Sequence, residues 1–191
     1  MNAAPNDALI VTDVQLDFCP GGALGVRGGD AIVSIINNLI PKFEHVVYTR
    51  DWHPAGHISF SDTPQFVDKS WPVHCVADSP GAQFHPDLNV PDGPFIINKG
   101  TRPEREAYSA FEGTDLAKEL ERRGIERVFL CGLATDYCIK NTALDALRHG
   151  FQAIVLLDAI RGVDVPPGSA DEAVEFMKDA GAGVATSEMF E

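Results

Sequence analysis

Three residues of chemically capable type each follow a short apolar run in this sequence: Asp13, Lys99 and Cys138. Cys138 comes shortly after the run RVFLCGL, with Gly132 and Ala134 allowing close approach and Thr135 or Asp136 as the cap of a following helix. A thiol in the first turn of a helix gains from the partial positive charge there, and a nearby lysine stabilises its thiolate further. Such a thiol is a candidate nucleophile, although a cysteine at this position can also be a small buried hydrophobe. Asp13 closes the run LIVT. A buried carboxylate needs a partner or shifts its pKa, and one facing a thiol can take its proton and pass it to a leaving amine. Its plainer reading is a turn residue at a strand end. Lys99 ends FIINK before Gly100. Alone it reads as a solvated lysine; between a thiolate and a carboxylate it would hold both in their charged forms.

A second group sits in one polar stretch: Asp51, His53, His57 and His74. Three of the six histidines fall within these 22 residues, 53–74. Asp51 and His53 are alternate residues of an extended segment and share a face, and His74 would close a site from the far side of the loop. Imidazole and carboxylate ligands with water positions to spare suit zinc, iron or manganese. Asp-x-His is a weak pattern, and polar loop residues with capping roles are the alternative. Phe18, Trp52, Phe60, Trp71 and Tyr108 lie near these motifs; aromatic rings there can sandwich a flat ring, or simply fill core. Cys19, Cys75 and Cys131 read as packing residues, and the acidic run at Asp171, Glu172 and Glu175 as a solvated helix face.

The elements that must bring these residues together alternate in type. Apolar runs at 8–14, 45–50, 95–98, 127–133 and 153–158 read as buried strands, with a short sixth at 183–186. Helical spacing is found at 28–43, 115–123, 136–149 and 169–180. Strands alternating with helices at this spacing predict βαβ units and a parallel sheet covered on both faces, an α/β doubly wound fold. Residues just past the strand ends then converge on one rim, where such sheets bind ligands. The stretch 51–93 breaks the rhythm, being rich in Pro, His, Asp, Ser and Gly, and a loop of that length is usually functional.

Composition sets the remaining bounds. The 191 residues predict one domain, 1–191, with 45% hydrophobic and 23% charged residues, an ordinary globular balance. A net charge of −13 argues against a nucleic-acid or anionic-membrane partner. No apolar run reaches the length of a membrane span, and the first residues lack the basic and apolar regions of a signal peptide. Four cysteines without such a signal predict reduced thiols and a cytoplasmic location.

The motifs DVQLDFCPGGAL at 13–24, DWHP at 51–54, WPVHC at 71–75, Lys99-Gly100 and GLATDYC at 132–138 resemble those of the nicotinamidases, within the isochorismatase-like (cysteine hydrolase) superfamily. The resemblance runs from about residue 8 to 188, in family order. It implies a six-stranded parallel sheet of Rossmann-like order and a catalytic Asp13, Lys99 and Cys138 triad. It implies one divalent metal on Asp51, His53 and His74, most simply zinc, with His57 a group standing behind the ligands. It implies a cis peptide before Ala134, with the Ala134 and Cys138 amides forming an oxyanion hole. Phe18 and Trp71 would flank a substrate ring, with Leu24, Tyr108 and Ala134 lining the pocket. The activity implied is hydrolysis of nicotinamide, and of pyrazinamide, to the acid and ammonia through a cysteine thioester, serving NAD salvage. The chain would then act on a small molecule, as a monomer or homo-oligomer. A superfamily hydrolase acting on a ureido or carbamoyl amide is the alternative; it would share the triad and not need the metal.

Overall fold

The computed structural model describes residues 2–190. Six strands form one all-parallel sheet: β1 (Asp7–Thr12), β2 (His45–Asp51), β3 (Phe95–Lys99), β4 (Arg127–Leu133), β5 (Gln152–Arg161) and β6 (Gly183–Ala185). Their order is β3-β2-β1-β4-β5-β6, so the chain winds outward from β1 in both directions. Every residue of β1 is buried, as a central parallel strand covered on both faces must be.

Alternate residues of each strand serve opposite faces. Leu9 and Val11 join the layer containing Val33, Ile36 and Leu39 of α1 (Val33–Leu39). Ala8 and Ile10 join the layer built by α2 (Leu116–Arg122), α3 (Lys140–Arg148) and α4 (Ser169–Asp179), through Leu120, Ala143 and Met177 among others. One face therefore has three helices and the other has one. On the second face, Cys75, Ala82 and Leu88 of the irregular stretch complete the layer. That stretch holds only a one-turn 3-10 helix at Pro80–Ala82 and isolated bridges such as His53 with Val76 and Phe60 with Trp71.

Several boundaries differ from the sequence reading, each for a local reason. The first strand stops at Thr12 rather than 14, because Asp13 turns to a left-handed φ of 49° and leaves the ladder. The helix expected over 28–43 is α-helical only from Val33 to Leu39, with 3-10 turns at Asp30–Ile32 and Ile40–Lys42. Gly28, at φ 68°, cannot start it, and Pro41 lacks the amide to continue it. β5 outruns the expected 153–158, and its pairing with β4 shifts register between Leu130 and Gly132. Gly132 sits at φ 113°, and a side chain there would collide with the Thr12 backbone of β1. No helix among the described residues is long and apolar enough to cross a membrane.

Candidate active site and metal centre

The strand order sets the site. Lys99 and Asp51 are the last residues of β3 and β2, Asp13 follows β1, and Cys138 lies in the turn after β4. Side by side in the sheet, these four strand ends deliver their side chains to one rim, beside the point where the winding reverses. The turn carrying Cys138 is not the expected helix start. Residues Thr135–Ile139 form a five-residue π turn before α3, and neither Thr135 nor Asp136 caps it with a side chain. The Asp136 carboxylate instead accepts the amides of Val163 and Asp164 at 2.9 and 2.8 Å and the Ser169 hydroxyl at 2.9 Å. It ties the turn carrying Cys138 to the loop after β5. The Leu133–Ala134 peptide is cis.

Lys99 is the hub, with its ammonium fully buried. Its Nζ lies 2.8 Å from Asp13 Oδ2 and 3.3 Å from Cys138 Sγ, and also donates to Asp51 Oδ1. Thr49 Oγ1 donates to Asp13 Oδ1 at 2.6 Å. The contact of Asp13 Oδ2 with the ammonium is close but lacks hydrogen-bond angles, so this buried oxygen is an acceptor without a well-aligned donor. Such an oxygen can receive a proton.

Electrostatics then assign the resting states. Burial raises the Asp13 carboxyl above its usual range, against the pull of Lys99. Burial would neutralise Lys99, but Asp13, Asp51 and Cys138 outweigh it and hold the ammonium charged. Burial would also raise Asp51, yet Lys99, His53 and His74 keep it well below the ordinary carboxylate range. Cys138 departs from the stabilised thiolate expected from sequence. Lys99 does lower its pKa, but burial, Asp13 and Asp51 together push it well above the ordinary thiol value. The resting group is a thiol that needs a base.

Asp51, His53 and His74 each offer a ligand atom, all within 4.8 Å of one another, and all three residues are buried. The two imidazoles are held for the task. His53 Nδ1 lies 2.9 Å from the Gly100 carbonyl and His74 Nδ1 lies 2.7 Å from the Pro72 carbonyl. A carbonyl can only accept, so each Nδ1 carries a proton, which leaves Nε2 of the neutral ring with a lone pair for a cation, the usual arrangement of metal-binding histidine. Gly100 makes the first contact possible, since a Cβ there would run into the His53 ring. The donor set therefore fits a divalent metal ion. Burial lowers His74, which favours its neutral ligating form; His53 is raised, because the Asp51 carboxylate outweighs burial. His57 stacks against His53 with ring centroids 4.1 Å apart, and its nitrogens meet Ser59 Oγ at 2.7 Å and the Arg105 carbonyl at 3.1 Å. It stands beside the three ligands rather than completing their set.

One cleft borders both Cys138 and the cluster of Asp51, His53 and His74. Phe18, Leu24, Trp71, Tyr108 and Ala134 all line it, together with Cys138. Trp71 Nε1 donates to the Tyr108 hydroxyl at 3.0 Å, and Tyr137 meets Trp71 edge-on at 4.8 Å. Phe60 packs on His53 and His74 from outside the cleft, while Trp52 lies under the Arg50 guanidinium. Sequence reasoning missed two lining residues, Glu106 and Val163. Tyr137, which also lines the cleft, lies next to Cys138 in the sequence. Glu106 belongs to the charged run RPERE and Val163 to a loop beyond β5, and neither carries a local signal.

Comparison with known proteins agrees with this geometry. Residues 7–189 match the isochorismatase domain family. A nicotinamidase of Acinetobacter baylyi is 41% identical over 199 residues, covering 95% of this chain and 92% of its own. The structure of a Pyrococcus horikoshii pyrazinamidase in complex with zinc superposes with a TM-score of 0.85 at 47% identity, covering 95% of this chain and 99% of that one. An L. infantum protein in complex with nicotinate gives a TM-score of 0.88 at 37% identity, with 98% and 96% covered. The chain belongs to the isochorismatase domain family.

Proposed function

We propose that this chain hydrolyses nicotinamide, and pyrazinamide, to the corresponding acid and ammonia. The observation that carries the reading is the contact between the two groups: Lys99 touches Asp13, Cys138 and Asp51 at once, while Cys138 and the set Asp51, His53 and His74 line one aromatic-walled cleft. Nicotinamidases and pyrazinamidases stand among its relatives at about 40% identity over nearly the whole chain.

Phe18 and Trp71 flank the substrate ring, and Leu24, Tyr108 and Ala134 bound it. Asp51, His53 and His74 hold a zinc, iron or manganese ion, which when bound supplies a Lewis-acid site that orients the substrate. Asp13 takes the Cys138 thiol proton as sulfur attacks the carboxamide carbon. The amides of Ala134 and Cys138 face the oxyanion; one such donor is worth about 2.7–4 kcal/mol of barrier. Lys99 compensates the charge that shifts between sulfur and carboxylate. Asp13 passes the proton to the departing ammonia, leaving a thioester. The same carboxylate then draws a proton from water as it attacks the thioester carbon, releasing nicotinate and restoring the thiol. Cys19, Cys75, Cys131 and Cys138 are all free and buried, consistent with a reducing, cytoplasmic setting.

The test is ammonia release from nicotinamide by the purified protein as isolated. Rapid release is expected, with Cys138→Ala binding nicotinamide without turnover. Absence of release with metal supplied and thiols reduced would overturn this reading in favour of a metal-independent hydrolase of ureido or carbamoyl amides.

A further inference from the structure

We propose that Gln15 is a positioning residue for the metal site, its side chain standing in for a stretch of strand that the sheet lacks. The inference rests on the metal-dependent reading above. β1 pairs with β2 as far as Thr12 with Thr49, and the Asp13 amide donates to the Thr49 carbonyl at 3.1 Å. There the chain turns away, and the Asp13 carboxylate meets the Lys99 ammonium. β2 runs on for two residues, and Asp51, paired on its far side with Lys99, is left with no neighbour from β1. Gln15 fills that place. Its Oε1 accepts the Asp51 amide at 2.8 Å, and its Nε2 donates to the Asp51 carbonyl at 2.9 Å. One carboxamide thus gives Asp51 both bonds that a neighbouring strand's peptides would have given. The second Nε2 proton goes to the Ala82 carbonyl at 2.9 Å, which fixes the irregular stretch to the same point. Gln15 is 0% exposed, so these bonds meet no competition from water.

Asp17 repeats the device two residues on. Its Oδ2 accepts the Cys75 amide at 2.7 Å, next to His74. Asp13, Gln15 and Asp17 therefore share one short segment: the first supplies the base, and the next two grip the backbones that present Asp51 and His74. Departure of the chain from the ladder at Asp13 and retention of Asp51 at the ladder's end are compatible only because Gln15 spans the gap.

The test uses the full chain and measures affinity for zinc alone by chelator competition, alongside melting temperature and the kcat and KM for nicotinamide. Gln15→Leu is expected to weaken zinc binding about 10- to 100-fold, the usual loss when a group supporting a metal ligand is removed. The control is Asp158→Asn, which loosens the Ser187 anchor remote from the site. It is expected to lower the melting temperature and leave zinc affinity unchanged. Should Gln15→Leu not fold, Gln15→Asn, with its amide drawn back by one methylene, is expected to show the same loss. Zinc affinity within about twofold of the parent in a folded Gln15 variant would overturn the proposal while the metal reading stood. A parent chain that bound no zinc at all would overturn the metal reading and the proposal with it.

Discussion

Strand β1 starts at one buried aspartate and is followed at its other end by a second, and the two are held in opposite ways. Asp7 is 2% exposed, yet both its oxygens are engaged: Arg127 Nε and Nη2 each donate at 2.8 Å, and the Ala4 amide donates at 2.8 Å. Its cation reaches it from the surface, with the Arg127 side chain 36% exposed. Asp13 is 0% exposed and faces a lysine that is itself buried; one of its oxygens takes a hydrogen bond from Thr49, and the other has no aligned donor. A carboxylate with both oxygens engaged stabilises the fold through those charge-assisted bonds. One with an oxygen that lacks an aligned donor, shared with a lysine that Asp51 also claims, can gain and lose a proton without dismantling its surroundings. The rim and the base of the same sheet differ in that one property.

Substitution should separate the two ends most sharply in turnover. Asp13→Asn is expected to lower kcat for nicotinamide by about 10²- to 10⁴-fold, the range for a lost general acid–base, with an unaltered circular dichroism spectrum. A rate near that of the parent would remove Asp13 from the chemistry. Metal removal comes next. Chelation, or His74→Ala, should raise KM for nicotinamide at least about tenfold, a loss of ~1.4 kcal/mol in binding; unchanged KM and kcat in metal-free protein would separate the cleft from its ligand set. At the opposite end, Asp7→Asn should cost about 1.5–3 kcal/mol of stability, since an amide cannot accept both guanidinium bonds. Its kcat/KM should match the parent, and a large drop would mean that the two ends are coupled.

The smallest effect concerns pH. Burial lifts the folded-state pKa of Asp13 above the ordinary 3.8. The proton-bound form therefore contributes stability that is complete below 3.8 and lost as pH rises through the raised value. Asn carries no such dependence. In metal-free protein, the stability of Asp13→Asn relative to the parent should grow as pH rises from 4 toward neutrality, and urea titrations at a series of pH values would read it.

Much of this was legible from residues alone. The run RVFLCGL gave β4 its observed bounds, because a doubly covered strand must be apolar throughout. Placing Asp13, Lys99 and Cys138 just past strand ends was enough to predict their meeting, because parallel strands share a rim. What was hidden depended on contacts between distant segments. Asp136 looked like a cap, but its carboxylate is claimed by amides 27 and 28 residues away. The thiolate expected at Cys138 weighed Lys99 and left out burial and two carboxylates, which only the folded chain brings near. Glu106 and Val163 enter the cleft from loops whose local sequence says nothing of direction. The grip of Gln15 on Asp51 crosses 36 residues and leaves no periodic trace.

The uneven covering of the sheet has a consequence for handling the molecule. The face opposite α2, α3 and α4 is roofed in part by Cys75, Ala82 and Leu88, from the same stretch that carries His53 and His74. Occupancy of the cation site and closure of that roof are thus thermodynamically linked. Free metal at one hundred times its dissociation constant would add about 2.7 kcal/mol to the folding equilibrium. Stripping the ion would do more than silence the cleft: it would remove that contribution from the stretch that also carries Cys75, Ala82 and Leu88.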